Sequence, residues 1–419
     1  MNLEGYRHET PPRREVLPSG AVLLSRPLPA AHSVAFGVWL RAGTEDEPPE
    51  LSGLTHFLEH IVFKGSRKRS AFEIALAFDS LGVALDAFTT KDHVAFTMKV
   101  LPEYFAQACE VLADMLLQPA MDPKLVGLEQ DVVCEEIQEA FDTPDERLHD
   151  AFAAHLFGPH PRARPILGNH ASVRSFESEM LQRQHRAIFA GPNLVLALTG
   201  NLDGDARDIV LQHFADIPAG TTATPPVTSA VQSVPGGGRL DLNSAIVQSY
   251  FEIGNLGVSY RHPDRIPLRL LANLLGGGMS SRIFQAVRER EGLAYTIYNY
   301  CDMGRDTGLV SCAGACSPDK LDRVEEVVRR EYQDLIDHGV SQEELANNCA
   351  QIKSQLVFSL EGVLNQMYRI ALNEIQQGRF IPVAELVDLI DAVDRDTIAR
   401  CAATYLQPGN LVVATHGPA

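Results

Sequence analysis

Hydrophobic and polar positions along this chain follow one order of elements twice. Residues 84–100 read as two strands joined by a polar turn at Lys91-Asp92. Pro102 then opens a helical run to about Leu117, and Asp122-Pro123 opens another to about Ala140. Further on, residues 294–315 read as two strands joined by Gly304-Arg305-Asp306. Pro318 opens a helix to about His338, and Ser341 with Glu344 forms a capping-box start for the next. Strand, strand, helix, helix thus recurs with a period of about 215 residues. Between the copies, residues 217–238 carry no charge but four prolines and four glycines, the composition of a linker. The expected division is 1–220, a linker at 221–238, and 239–419. The expected fold class is α+β: two homologous domains, each a largely antiparallel sheet covered on one face by helices.

Composition narrows the partners. The chain has 419 residues, 45% hydrophobic and 21% charged, enough for a large core. Thirty-six basic against 54 acidic side chains give a net charge of −18. That speaks against nucleic acid and anionic membranes, which select basic surfaces, and suits cationic peptides. No stretch of 18 apolar residues predicts a membrane span, and the first residues lack the apolar run of a secretory signal. Seven cysteines, at 109, 134, 301, 312, 316, 349 and 401, show no paired framework. The expected location is a reducing compartment, the cytoplasm. Cys312 and Cys316 are expected as buried small residues of a strand rather than metal ligands.

The strongest chemical signal is Leu54-Thr55-His56-Phe57-Leu58-Glu59-His60-Ile61-Val62-Phe63, an apolar helix expected to start near Ser52. On a helix, His60 lies about 40° from His56, and Glu59 about 60° to the other side. All three side chains project into one sector. Two imidazoles one turn apart can hold one Zn2+, and the carboxylate beside them can take a proton from an activated water. The order H-x-x-E-H inverts the commoner zinc-protease motif. The competing reading is a buried helix whose two histidines are satisfied by hydrogen bonds. Burying two imidazoles and a carboxylate so close without a shared partner is unfavourable, which favours the metal.

A catalytic zinc needs a third protein ligand and an open position. On the helix at 124–140, Glu129 and Glu136 fall two turns apart, on a line shared with Leu125, Val132, Val133 and Ala140, whereas Glu135 points away. Inward carboxylates require a cation. Glu136 is therefore expected as the third ligand, and Glu129 as a carboxylate supporting the His pair from behind. The alternative is a solvated acidic face.

The segment His56 to Gly65, with Glu136 following His60 after 75 residues and Glu129 two turns upstream, resembles the pitrilysin family of zinc peptidases. That family includes insulin-degrading enzymes and mitochondrial processing peptidases. The resemblance extends to Ala87-Phe88-Thr89, Asp142-Thr143-Pro144-Asp145, Gly276 to Arg282, and Val287 to Tyr295. It implies a zinc-dependent endopeptidase whose four α+β domains form a clamshell around a chamber. A chain with two such domains would dimerise to close it, as a homodimer or with a paralogue. It implies that peptide substrate adds as a strand near Asp86, Ala87, Phe88 and Thr89. It also implies that Arg288 and Tyr295 hold the substrate carbonyl and stabilise the oxyanion at the partner's zinc. Without the resemblance, Arg288 is one charge on a solvated helix face and Tyr295 a strand residue.

Two positions depart from the family pattern. Asp86 stands where the family often has Asn; its charge either favours basic residues in the substrate or alters only edge-strand contacts. Arg290-Glu291-Gly292 carries an acid where shorter members often have a base or glycine. The rival function is a non-catalytic or partner-dependent subunit of a heterodimeric processing peptidase. Such subunits usually lose zinc ligands, and this chain has all of them. Gly276-Gly277-Gly278 is expected as a flexible loop facing the chamber, and His93, His149, His155 and His160 as surface or core.

Overall fold

A computed structural model describes residues 9–202, 204–220 and 237–419. Most of the expected linker lies outside the described residues; its last residue, Gly238, already opens a strand.

Among the described residues, eleven strands form two sheets. The first contains β1 (Arg13–Val16), β2 (Val22–Pro27), β3 (Val34–Leu40), β4 (Ala84–Thr89), β5 (Val94–Val100) and β6 (Leu194–Gly200), in the order β1-β2-β6-β3-β5-β4. The second contains β7 (Gly238–Ser244), β8 (Ser249–Leu256), β9 (Ala294–Met303), β10 (Gly308–Cys316) and β11 (Val412–Pro418), in the order β7-β11-β8-β10-β9. Without β1, the two orders are the same. Each sheet has one parallel pair, β2 with β6 and β7 with β11, among antiparallel neighbours. The repeated pattern in the sequence therefore corresponds to a repeated topology.

Five helices of the first half matter for the site: α1 (Leu54–Ile61), α2 (Ala71–Ser80), α3 (Phe105–Leu117), α4 (Pro123–Asp142) and α5 (Pro144–Phe157). The Asp122 side chain caps α4 by accepting the Lys124 N–H at 2.8 Å, with Pro123 in the first turn, where its missing N–H does no harm. The Ser341 and Glu344 capping box forms as expected.

The sheets are covered on both faces, where one was expected. β3 and β6 are buried at every position, so their near-continuous apolar runs need cover on each side. One face of the first sheet packs on α2, α3 and helix 206–213. The other face meets a helix from the far end of the chain: Met367, Ile370 and Ala371 of helix 363–372 pack on Val22, Ala35, Trp39 and Val195. The exchange is mutual. α5 lays Leu148, Phe152, Leu156 and Phe157 on Leu309, Val412 and Ala414 of the second sheet. Each half thus lends a helix to the other.

Cys312 and Cys316 are buried on β10, as expected, and all seven cysteines are free. Gly276 and Gly277 are closely packed rather than a flexible chamber loop. A Cβ at Gly276 would fall 2.3 Å from the Asn299 backbone nitrogen, and one at Gly277 2.0 Å from Asn273 Oδ1. Neither lines the cleft described below. Among the described residues, no helix is long and apolar enough to cross a membrane.

Candidate metal centre and active site

α1 begins at Leu54, two residues beyond the expected start, because Gly53 adopts φ +89° at its N-cap. That backbone suits glycine, and a Cβ there would fall 2.5 Å from the Leu167 carbonyl oxygen. The helix then buries Leu54, Phe57, Leu58 and Ile61 against Val126 and Val133 of α4 and Phe176 beyond it. Each such burial is worth about 1.5–3 kcal/mol. This contact turns the polar sector of α1 toward α4.

The inward line of α4 is narrower than periodicity suggested. Val126, Glu129 and Val133 are buried, but Val132 is 49% exposed and Leu125 only half-buried. Glu135 faces solvent as expected, and Glu136 is half-buried. Glu136 Oε2 lies 3.7 Å from His56 Nε2 and 3.6 Å from His60 Nε2. One ligand atom from each of the three residues lies within 4.8 Å of the others.

The residues fit a zinc ion. Glu136 Oε2 is buried with no hydrogen-bond partner, although two imidazole nitrogens flank it. Zinc bonds of about 2.0–2.1 Å in a tetrahedron separate ligand atoms by about 3.3 Å, close to the spacing seen. Burial, and then the neighbouring His60, push the His56 pKa down to about 3, so its ring is neutral and its lone pair free. Burial opposes charge on His60 as well. There the hydrogen bond to Glu129 and the charges of Glu136, Glu129 and Glu59 prevail, and the pKa lies above its ordinary value.

Glu129 is 2% exposed and grips His60 from behind. His60 Nδ1 donates to its Oε1 at 2.8 Å, which leaves Nε2 for the metal, and Lys64 Nζ meets its Oε2 at 2.8 Å. Burial works against the Glu129 charge, but the bonds from His60 and Lys64 hold its pKa below normal.

Glu59 shares the sector. Burial raises its proton affinity. A hydrogen bond from Thr89 and the His60 charge oppose this, and the charges of Glu136 and Asp86 add to it. A raised carboxyl suits a group that must take and return a proton near neutral pH.

Ala87, Phe88 and Thr89 line the cleft, and Asp86 beside them is exposed. They lie on β4, an edge of the first sheet, but not all their side chains are free. Thr89 Oγ1 donates to Glu59 Oε2 at 2.7 Å. Phe88 packs edge-on against Trp39 and Tyr368. The cleft has a volume of about 970 Å³, and its far wall comes from β8, β9 and β10.

Arg288 and Tyr295 sit elsewhere. They pair with each other: Arg288 Nη1 donates to the Tyr295 carbonyl oxygen at 3.0 Å, and its guanidinium lies 4.4 Å from the Tyr295 ring centre. Tyr295 is 79% exposed, and neither residue lines the cleft of its own chain. Arg288 lies on a π-helical stretch, Phe284–Arg290.

Sequence reasoning missed three contributions. Lys64 is one turn beyond His60, so its spacing could have suggested the Glu129 contact. Glu47 accepts from the first turn of α1 with no motif to mark it. His149 was expected as surface or core, yet it lines the cleft with Glu252, its Nδ1 3.1 Å from Glu252 Oε2. Those two residues are 103 positions apart, so no spacing could join them.

Comparison with known proteins agrees in both halves. Residues 22–170 match the family model described as insulinase (peptidase family M16), and residues 175–352 match that of the peptidase M16 inactive domain. A protein of Streptomyces coelicolor named an uncharacterized zinc protease is 32% identical over 94% of this chain and 87% of its own length. One of Mycobacterium tuberculosis with the same description is 34% identical, covering 97% of this chain and 94% of its own. A crystal structure described as a peptidase M16 inactive domain from Pseudomonas fluorescens has the same fold, with a TM-score of 0.89 at 18% identity over 98% of both chains. A protease from Helicobacter pylori also reaches 0.89, at 18% identity over 97% of this chain and 99% of that one.

Proposed function

Because the chain belongs to the insulinase family of peptidases, family M16, we propose that it is a zinc-dependent endopeptidase that hydrolyses peptides or unfolded segments inside a chamber closed by a second copy. The observation that carries this reading is the convergence of His56 Nε2, His60 Nε2 and the unpartnered, buried Glu136 Oε2 beside Glu59. His56, His60 and Glu136 would hold the ion. Bound there, zinc supplies a Lewis acid that polarises the scissile carbonyl and makes a neighbouring water more acidic.

The chain's own residues do the rest. Glu59 takes the proton of the attacking water and passes it to the leaving amine. The Thr89 hydroxyl fixes one oxygen of Glu59 and so orients the base. Glu129 holds the His60 ring in the tautomer that presents Nε2. The free edge of β4 offers main-chain pairing to an extended peptide, a mode tolerant of sequence.

Arg288 and Tyr295 would serve the zinc site of the partner, which accords with their absence from the cleft of their own chain. The same observation keeps a partner-dependent subunit as the second reading. The solution mass of the purified chain, beside its activity alone, separates the two. The seven free cysteines support a cytoplasmic location.

The deciding experiment is Glu59→Gln. It is expected to keep stoichiometric zinc and to lose peptide hydrolysis by about 10²–10⁴-fold, the usual contribution of a positioned base. An unchanged turnover would refute the assignment.

A further inference from the structure

Glu45, Asp46 and Glu47 follow one another in the segment between β3 and α1, and each makes a different connection. Glu47 is 5% exposed. Its Oε2 accepts the Gly53 N–H at 2.8 Å, and its Oε1 accepts the Thr55 N–H at 2.6 Å. These donors open α1 and have no partner inside the helix. The helix dipole also favours a carboxylate there. One buried side chain therefore fixes where α1 starts, immediately before His56.

The two preceding acids connect to the second half, Asp46 directly and Glu45 through Arg162. Arg162, itself buried, bridges Glu45 and Asp302. Arg305 grips Asp46 with both terminal nitrogens, at 2.6 and 3.0 Å. Asp302 lies near the end of β9 and Arg305 in the turn that joins it to β10, and these two strands help form the far wall of the cleft. Arg164 closes the arrangement by donating to the Glu47 carbonyl oxygen at 2.8 Å and that of Thr44 at 3.2 Å. Consecutive Cα atoms are held about 3.8 Å apart, so Asp46 cannot shift without carrying Glu47.

We propose that the turn Glu45–Glu47 couples the position of the β9–β10 turn to the position of the metal-bearing helix, with Glu47 as the positioning residue for His56. The proposal rests on the reading of α1 as the zinc helix. Its function is to make the ligand geometry depend on how the second half is seated.

The test uses the full chain and four variants: Glu47→Gln, Asp46→Asn, Arg305→Met and the double variant Asp46→Asn with Arg305→Met. Three quantities are read: hydrogen exchange of amides 53–60 in metal-free protein, zinc affinity by chelator competition, and kcat at saturating zinc. Glu47→Gln is expected to speed exchange at Thr55 and weaken zinc binding about tenfold, the lower end for a group that orients a ligand. Asp46→Asn and Arg305→Met both leave the Glu47 contacts to the first turn of α1 intact; Asp46→Asn also disturbs the acceptor of the Gly43 N–H at 3.0 Å, so Arg305→Met is the cleaner of the two. They are nevertheless expected to speed exchange across α1 and lower kcat severalfold, with the double variant no worse than either single one.

If Asp46→Asn and Arg305→Met keep exchange, affinity and kcat within twofold of the parent, the coupling is wrong. Faster exchange everywhere with unchanged zinc affinity also overturns it, since that reports stability alone. Should Glu47→Gln fail to fold, the other variants decide. A parent chain that binds no zinc or cleaves no peptide would overturn the proposed function, while the exchange measurement would still judge the coupling.

Discussion

Replacing Glu129 by glutamine removes a charge from behind His60 while keeping the shape of the side chain. The carboxylate is buried and serves two donors, His60 Nδ1 and Lys64 Nζ, each at 2.8 Å. An amide has one oxygen, so either His60 or Lys64 must lose its acceptor. Lys64 is 37% exposed and can turn to water, so the amide oxygen will stay with His60. The His60 bond then changes from charge-assisted to neutral, a loss of about 1–1.5 kcal/mol. The ring also loses the negative potential that makes Nε2 a better donor to the metal. Together these predict zinc binding weaker by about 10–100-fold, or about 1.4–2.7 kcal/mol. Zinc affinity would be measured by competition with a chromophoric chelator at pH 7.5, with circular dichroism of both apo-proteins as the folding control. At saturating zinc, most of kcat should return. An affinity within twofold of the parent would show that Glu129 does not tune the site, and the account of the His60 tautomer would fail.

Thr89→Val deletes the hydroxyl bonded to Glu59. The Glu59 carboxyl, already raised by burial, rises further, so the acidic limb of the kcat/KM profile should move to higher pH, with about a tenfold loss near neutrality; a profile with an unmoved acidic limb would contradict the contact. His185 donates through Nε2 to the Leu116 carbonyl at 2.8 Å, and burial, only partly offset by that bond, pulls its pKa down to about 4. The unfolded chain takes up this proton near pH 6.5, so stability is complete above that value and falls by about 3 kcal/mol as pH drops to 4. His185→Gln should flatten that part of the stability curve in urea titrations, and an equally steep curve would disprove the role. Met367→Ala empties a fully buried position between helix 363–372 and the first sheet, a loss of about 2–5 kcal/mol. Fluorescence of the single tryptophan, Trp39, and far-UV circular dichroism should both shift to lower denaturant, whereas a shift in neither would argue against the lent helix.

The candidate metal ligands were legible because their geometry is local. His56, Glu59 and His60 lie within five residues of one helix, and Glu129 and Glu136 within two turns of another, so periodicity alone fixes which side chains share a face. Turn and cap signals placed the paired strands and the helix starts at Asp122 and Ser341 for the same reason. Periodicity also overreached: Val132 lies on the calculated stripe of α4 yet faces solvent, because the partner helix covers less of α4 than an apolar count suggests.

The sequence by itself determined that two copies of one topology would form and that two histidines and three glutamates would share the inward faces of two helices. Only the tertiary structure decided that the helices meet, that Thr89 holds Glu59, that Glu47 fixes the start of α1, and that each half covers a sheet of the other. It also decided that Arg288 and Tyr295 stay outside their own cleft. The reason is the range of the forces involved. Backbone periodicity and caps act within one element and leave a trace in residue spacing. Contacts between elements depend on how whole apolar faces pack, and that joins residues such as Trp39 and Met367 across 328 positions with no repeating signal between them.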